Sequence, residues 1–308
     1  MSIRLRLLNA GLKSIVKPSL RRQSEPTRAR AAFEIVARLA FARPRGVAIR
    51  RSEGCGMTPP AVRFTPPEPA AKVLLYFHGG GFVAGSPRTH GGMLAHLARG
   101  AGIEVCAPDY RLAPEHPFPA AWDDARAAWD ALIDDGLSPC DIALGGDSAG
   151  GGLALSLLAD LCREGMPPAA TIVFSPLTDM TGSGASIQKN AGTEVLLPFE
   201  RFDELMRMAL GPHDPEDPRA SPLFADFPSC SRVFFAVSDA EGLFDDSARL
   251  FARLKSEGVR TELHIGRACP HAWPIFAGRL AEADETLRVA CGFLRNALGM
   301  TAMAAELR

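Results

Sequence analysis

The sequence has no apolar run near the length of about 18 residues that a membrane-crossing helix needs, so no stretch of it reads as a span. Its start lacks the long apolar core of a secretory signal. Seven cysteines (Cys55, Cys106, Cys140, Cys162, Cys230, Cys269 and Cys291) are scattered, odd in number and without a Cys-x-x-Cys pair. A disulfide framework is therefore not expected, and the thiols read as buried or incidental groups in a reducing, cytoplasmic compartment. Cys and His show no metal-ligand spacing, so the expectation is no metal and no cofactor. Charge of one sign is also missing overall. The net charge of −1 argues against a nucleic-acid partner. There is no internal repeat and no low-complexity tract.

What charge there is lies unevenly. Residues 1–50 hold twelve Lys/Arg against only Glu25 and Glu34, and the remaining 258 residues are net acidic by eleven charges. Met1 to Ser24 has no acidic residue and sets Leu5, Leu8, Leu12, Ile15 and Val16 at helical spacing. The expectation is a structural helix with a solvated basic face. A targeting presequence or a membrane-surface helix is the alternative.

From residue 73 onward short apolar strands alternate with amphipathic helices. The strand signals are Val73–Phe77, Ile103–Cys106, Ile142–Leu144, Thr171–Phe174, Val233–Val237 and Thr261–Ile265. Such alternation in a chain of 308 residues predicts an α/β protein with a mainly parallel central sheet and helices on both faces. Residues 54–70, rich in Gly and Pro, read as a linker or short edge strands. Residues 185–230 carry no strand signal. They hold a helical pattern over Phe199 to Leu210 and then a Pro-rich stretch, as an insertion at the carboxyl edge of a sheet would.

Two glycine motifs follow predicted strands. Gly146-Asp147-Ser148-Ala149-Gly150 sits where a strand ends and a helix begins, which would hold the Ser148 hydroxyl exposed on a sharp turn. His78-Gly79-Gly80-Gly81-Phe82 gives a loop whose N–H groups can face a developing oxyanion. A phosphate loop fits poorly there, because neither Gly-Lys-Ser/Thr nor G-x-G-x-x-G with a distant acid is present. Among seven histidines His271 is the best-placed base, after the last predicted strand and before a C-terminal helix. His78 is expected to fix its own loop. Asp239, Glu241, Asp245 and Asp246 all follow the strand Val233–Val237, and position alone does not choose an acid among them. Asp147 is expected to be a buried structural carboxylate hydrogen-bonded to the 109–116 segment.

Together with Tyr110–Ala121, Ser175-Pro176-Leu177-Thr178-Asp179 and Asp217–Leu223, these motifs resemble the bacterial hormone-sensitive-lipase-like esterases over about residues 73–295. The resemblance implies an α/β-hydrolase fold with a helical cap. It implies N-terminal cap helices over 1–50, core over 51–184, a cap insertion over 185–230 and core again over 231–308. It implies a serine carboxylesterase acting on small-molecule esters through an acyl-enzyme, with Ser148 as nucleophile and His271 as base. Gly80, Gly81 and Ala149 match the oxyanion donors. Glu241, thirty residues before His271, fits the family's acid position ahead of Asp239, although the usual nearby Gly is missing. Phe82, Phe202, Met206, Met208 and Trp273 are candidates for the acyl pocket, with core packing the competing role. The small, two-part cap points to short or medium acyl chains. Resemblance alone leans to a homodimer. A lactonase, an amidase or deacetylase with the same triad, or a non-catalytic small-molecule receptor are the competing readings.

Overall fold

The computed structural model of the protein describes residues 1–23 and 25–300, so Ser24 and residues 301–308 lie outside the described residues. One sheet contains β1 (Ala48–Ser52), β2 (Ala61–Thr65), β3 (Ala70–Phe77), β4 (Ile103–Pro108), β5 (Ile142–Asp147), β6 (Ala170–Phe174), β7 (Arg232–Ser238) and β8 (Thr261–Gly266). Their spatial order is β1-β2-β4-β3-β5-β6-β7-β8. The pairs β1/β2 and β2/β4 are antiparallel, and all the others are parallel. The segment read as a linker or edge thus contributes β2, which lies between β1 and β4.

Helices α1 (Ile3–Gly11), α2 (Lys17–Arg22) and α3 (Pro26–Ala40) precede the sheet. Then come α4 (Gly91–Ala101), α5 (Ala120–Asp134), α6 (Ser148–Arg163), α7 (Ser186–Lys189), α8 (Phe202–Leu210), α9 (Phe244–Ser256) and α10 (Ala281–Ala297). Among the described residues no helix is long and apolar enough to cross a membrane.

Strand β3 shows how the sequence specifies two layers of core. Leu74 and Tyr76 face a cluster shared with α4 and α10, while Val73, Leu75 and Phe77 face another shared with α5, α6 and α9. Successive side chains point to opposite faces, so a strand covered on both sides reads as a continuous apolar run. Leu74 and Leu75 are both fully buried, and truncating either to Ala would cost about 2–5 kcal/mol.

The same ladder aligns the carboxyl ends of the strands. Phe77 pairs with Gly146, Asp147 with Phe174, Phe174 with Ala236 and Ser238 with Gly266. Chain order reverses at β3, which lies between β4 and β5, so the loops after β3 and β5 flank the switch-point crevice of an open sheet.

The basic N-terminal segment uses its polar groups as anchors, beyond the solvated face expected for it. Asn9 donates to the Ala268 carbonyl at 2.8 Å and Lys17 Nζ to the Glu194 carbonyl at 2.7 Å. Arg30 donates to the Val83 and Ala113 carbonyls, both at 2.7 Å, and pairs with Glu115 at 2.7 Å. Its guanidinium holds the Glu115 carboxyl down at about 2.

Candidate active site

Strand β5 ends at Asp147 and α6 begins at Ser148, whose φ of 53° places it in the left-handed region. Non-Gly residues seldom adopt such a φ, and backbone strain tends to collect at functional sites. Phe82, Ser175 and Ala272 share it, with φ of 61°, 48° and 51°. Glycines make the turn at Ser148 possible by allowing close approach. A Cβ on Gly146 would stand 2.2 Å from the Gly150 carbonyl oxygen, and one on Gly150 2.2 Å from that of Phe77. The loop after β3 is therefore pressed against the start of α6.

That loop turns sharply. Val83 and Ala84 donate to the Gly80 carbonyl at 3.2 and 3.0 Å, and Gly80 and Gly81 have φ of 129° and 63°. Among the described residues the N–H groups of Gly80 and Gly81 have no acceptor. The N–H of Ala149 lies in the first turn of α6, where no preceding helical carbonyl is in reach. Two donors thus stand on the loop after β3 and one in the first turn of α6, next to Ser148 in the chain. Such groups can stabilise an oxyanion.

Behind the loop, Asp147 is buried, but its partners differ from the expected 109–116 segment. It accepts from the Tyr76 hydroxyl at 3.0 Å and the Gly79 N–H at 3.1 Å, and meets His90 Nε2 at 3.2 Å. Burial alone would raise its carboxyl. The charge and hydrogen bond of His90, with Tyr76, bring it below the usual range. Segment 109–116 reaches the loop by another route: the Tyr110 hydroxyl donates to the His78 carbonyl at 2.6 Å. Burial pushes the His78 imidazole down to about 3, so it stays neutral.

His271 lies in the loop after β8. Its Nδ1 is 2.6 Å from Glu241 Oε2, while its Nε2 is buried without a hydrogen-bond partner among the described residues. Glu241 follows β7 and is almost wholly buried. Its other oxygen accepts from Ser175 Oγ at 2.8 Å and from the Ser238 N–H at 2.5 Å. Burial raises the Glu241 carboxyl, against the opposing pull of His271 and the Ser238 N–H. Burial pulls the His271 imidazole down, but the hydrogen bond and charge of Glu241, aided by Glu194 and Asp147, carry it above its ordinary value. Asp239 is exposed, and its carboxylate accepts the Ala268 N–H at 2.7 Å. The structure brings Glu241 to His271 and leaves Asp239 outside.

The pocket candidates divide. Phe82 lines a small cavity with Phe118, Trp122, Leu153, Met180 and Ala209. Met206 is buried, and Phe202 partly buried, in the cluster that also receives Phe82. Trp273 does not line it. It is fully buried in the core, and its indole N–H donates to Thr286 Oγ1 at 3.0 Å on α10. The left-handed turn at Ala272 separates its direction from that of His271.

The residues that sequence reasoning gave no role are Ser175 and Glu194. Ser175 bridges the two loops, donating to Glu241 and accepting the Ala272 N–H at 3.1 Å. Its place directly after β6, level with Ser148, was the available signal. Glu194 gave no local signal.

A family model for the alpha/beta hydrolase fold matches residues 74–275. The chain is 36% identical over 229 residues to an acetyl-hydrolase of Streptomyces hygroscopicus, covering 74% of this chain and 77% of that protein. It is 34% identical over 244 residues to an ethyl acetate hydrolase of Pseudomonas putida, covering 75% and 76%. The crystal structure of an esterase from the bacterial hormone-sensitive lipase family superposes with a TM-score of 0.90 at 36% identity, covering 97% of this chain and 99% of that one. The chain belongs to the alpha/beta-hydrolase family, among the bacterial hormone-sensitive-lipase-like esterases, and is a carboxylic ester hydrolase.

Proposed function

We propose that the protein hydrolyses esters of short to medium acyl chains through an acyl-enzyme on Ser148. His271 Nε2 takes the Ser148 proton as Oγ adds to the ester carbonyl. The N–H groups of Gly80, Gly81 and Ala149 hold the oxyanion. The tetrahedral intermediate collapses, the C–O bond to the alcohol breaks, and His271 returns its proton to the leaving alkoxide. Water then enters by the same route and releases the acid, restoring the Ser148 hydroxyl. Glu241 orients His271 and stabilises its cation.

The observation that carries this reading is the 2.6 Å contact between His271 Nδ1 and Glu241, with Nε2 left unpartnered. Position supports it too, because these loops and Ser148 follow strands whose ends are level in the ladder.

The substrate preference rests on what covers the site. A Cβ on Gly81 would meet Leu205 of α8 at 2.9 Å, and one on Gly242 would meet Phe199 at 2.2 Å. Segment 185–230 therefore packs on both the oxyanion loop and the acid turn, as a cap would, with residues 1–50 as its second part. The small cavity beside Phe82 is lined by neither Ser148 nor His271, so the preference rests on the cap alone.

A p-nitrophenyl ester series on the wild type and on Ser148→Ala tests both halves. Ser148→Ala should lower kcat on the butyrate by at least about 10⁴-fold, and substantial remaining turnover would remove Ser148 from its role. Wild-type rates should fall beyond medium chains. A steady rise from butyrate to palmitate would overturn the size preference.

A further inference from the structure

Glu194 is a second carboxylate close to the proposed pair, and the mechanism above does not use it. It lies in the loop between α7 and α8 with 2% of its surface exposed. Its Oε1 accepts the N–H groups of Leu196 at 2.7 Å and Leu197 at 3.1 Å, and its Oε2 accepts that of Gly242 at 3.2 Å. Gly242 is the residue after Glu241. The surrounding loop grips the same turn: Asn190 Nδ2 donates to the Glu241 carbonyl at 2.8 Å and Thr193 Oγ1 to that of Ala240 at 3.0 Å.

We propose that Glu194 is a positioning residue for ester hydrolysis, fixing the turn that carries Glu241 and adding its negative charge to the field in which His271 takes up a proton. This rests on the assignment of Glu241 and His271 to the reaction. A buried carboxylate is costly unless hydrogen-bonded and balanced. Three N–H donors hold this one, and the buried Lys17 ammonium lies against its backbone carbonyl. The charged groups that act on His271 are Glu241, Glu194 and Asp147. Those that act on Lys17 are Glu194, Arg21, Glu200 and Lys13. Since Lys17 comes from α2, the N-terminal segment is tied to the acid turn through this residue.

The test is the acid limb of kcat/KM on p-nitrophenyl butyrate in Glu194→Gln. The amide oxygen can still accept either from Gly242 or from Leu196 and Leu197, so one side of the contact is kept while the charge and the other side are lost. The limb's midpoint should fall by about half a pH unit, less than the 1–3 units that a charge in direct contact gives. Glu285→Gln, at an exposed position of α10, should leave it unmoved. If Glu194→Gln fails to fold, Lys17→Met/Glu194→Gln replaces both buried charges with neutral groups and is read for the same shift. A folded variant with an unmoved midpoint overturns the proposal, even if its rate or Tm falls. Failure of the underlying site is a separate result: it shows as turnover that survives Ser148→Ala.

Discussion

The two halves of the site are built by different means. The Ser148 half is built by close approach of backbone. Gly146 and Gly150 leave no room for a methyl group, and a Cβ on Gly80 would sit 2.1 Å from the Ala84 carbonyl oxygen. The Glu241–His271 half is built by hydrogen bonds between segments far apart in sequence, with Ser175 and Glu194 reaching Glu241 and Gly242 across 66 and 48 positions. Close approach fixes residue identity locally and tolerates little. Long-range hydrogen bonding spreads the task over many side chains, so single losses are shared, except at the carboxylate that touches the imidazole.

After the loss of Ser148 itself, that exception gives the largest effect expected. Glu241→Ala should lower kcat on p-nitrophenyl butyrate by about 10⁴-fold, because it removes the group that orients His271 and balances its charge. Asp239→Ala should keep a near-normal rate, since among the described residues its carboxylate serves only the Ala268 N–H. The reverse ranking would break the assignment of the acid. It would leave the glycine half untouched.

The next effect tests the glycine half. Gly80→Ala places a methyl group where the φ of 129° and the Ala84 carbonyl both forbid it, so the turn must shift and carry its N–H with it. Displacing one oxyanion donor costs about 10²–10³ in kcat, with KM less affected. A variant that keeps its rate would show that Gly80 supplies no donor, and that the crowding there serves packing alone.

The contrast also accounts for what could be read from the sequence. The five strands β3 to β7 are largely buried on both faces and announce themselves as apolar runs, while β8, at the sheet edge, is mostly half-exposed or exposed. β1 is exposed along its whole length and carries Ile49-Arg50-Arg51, which gives no such signal. Ser148 and the glycines were legible because the crowding that demands them acts between near neighbours in the chain or directly after a strand. The resemblance singled out Glu241 over Asp239, but nothing local could, because the choice depends on which side chain Ser175 and Ser238 turn towards His271. Trp273 was misplaced for a backbone reason: sequence adjacency to His271 implies a shared direction, and the left-handed Ala272 removes it. Asp147 was read correctly as buried. Its partners come from Tyr76 and His90, which no spacing rule connects to it.

The smallest effect is a displacement along the pH axis. In the hydrogen-bonded half the pull of Glu241, with Glu194 and Asp147 behind it, outweighs burial and raises His271. A raised value means that His271 holds its proton to higher pH, and the protonated ring cannot take the proton of Ser148. Activity should therefore rise with pH through a midpoint above the ordinary histidine value of about 6.5. His78 does not add to this limb, because burial keeps it down at about 3. Asp246 does titrate nearby, since burial pushes it up to about 7 while it accepts the Thr178 and Asp179 N–H groups. Measuring kcat/KM from pH 5 to 9 in the wild type and in Asp246→Asn separates the two. A limb common to both belongs to His271. A midpoint at or below 6.5 in both would mean that burial outweighs the carboxylates, and the loop-built half would then orient the base without strengthening it.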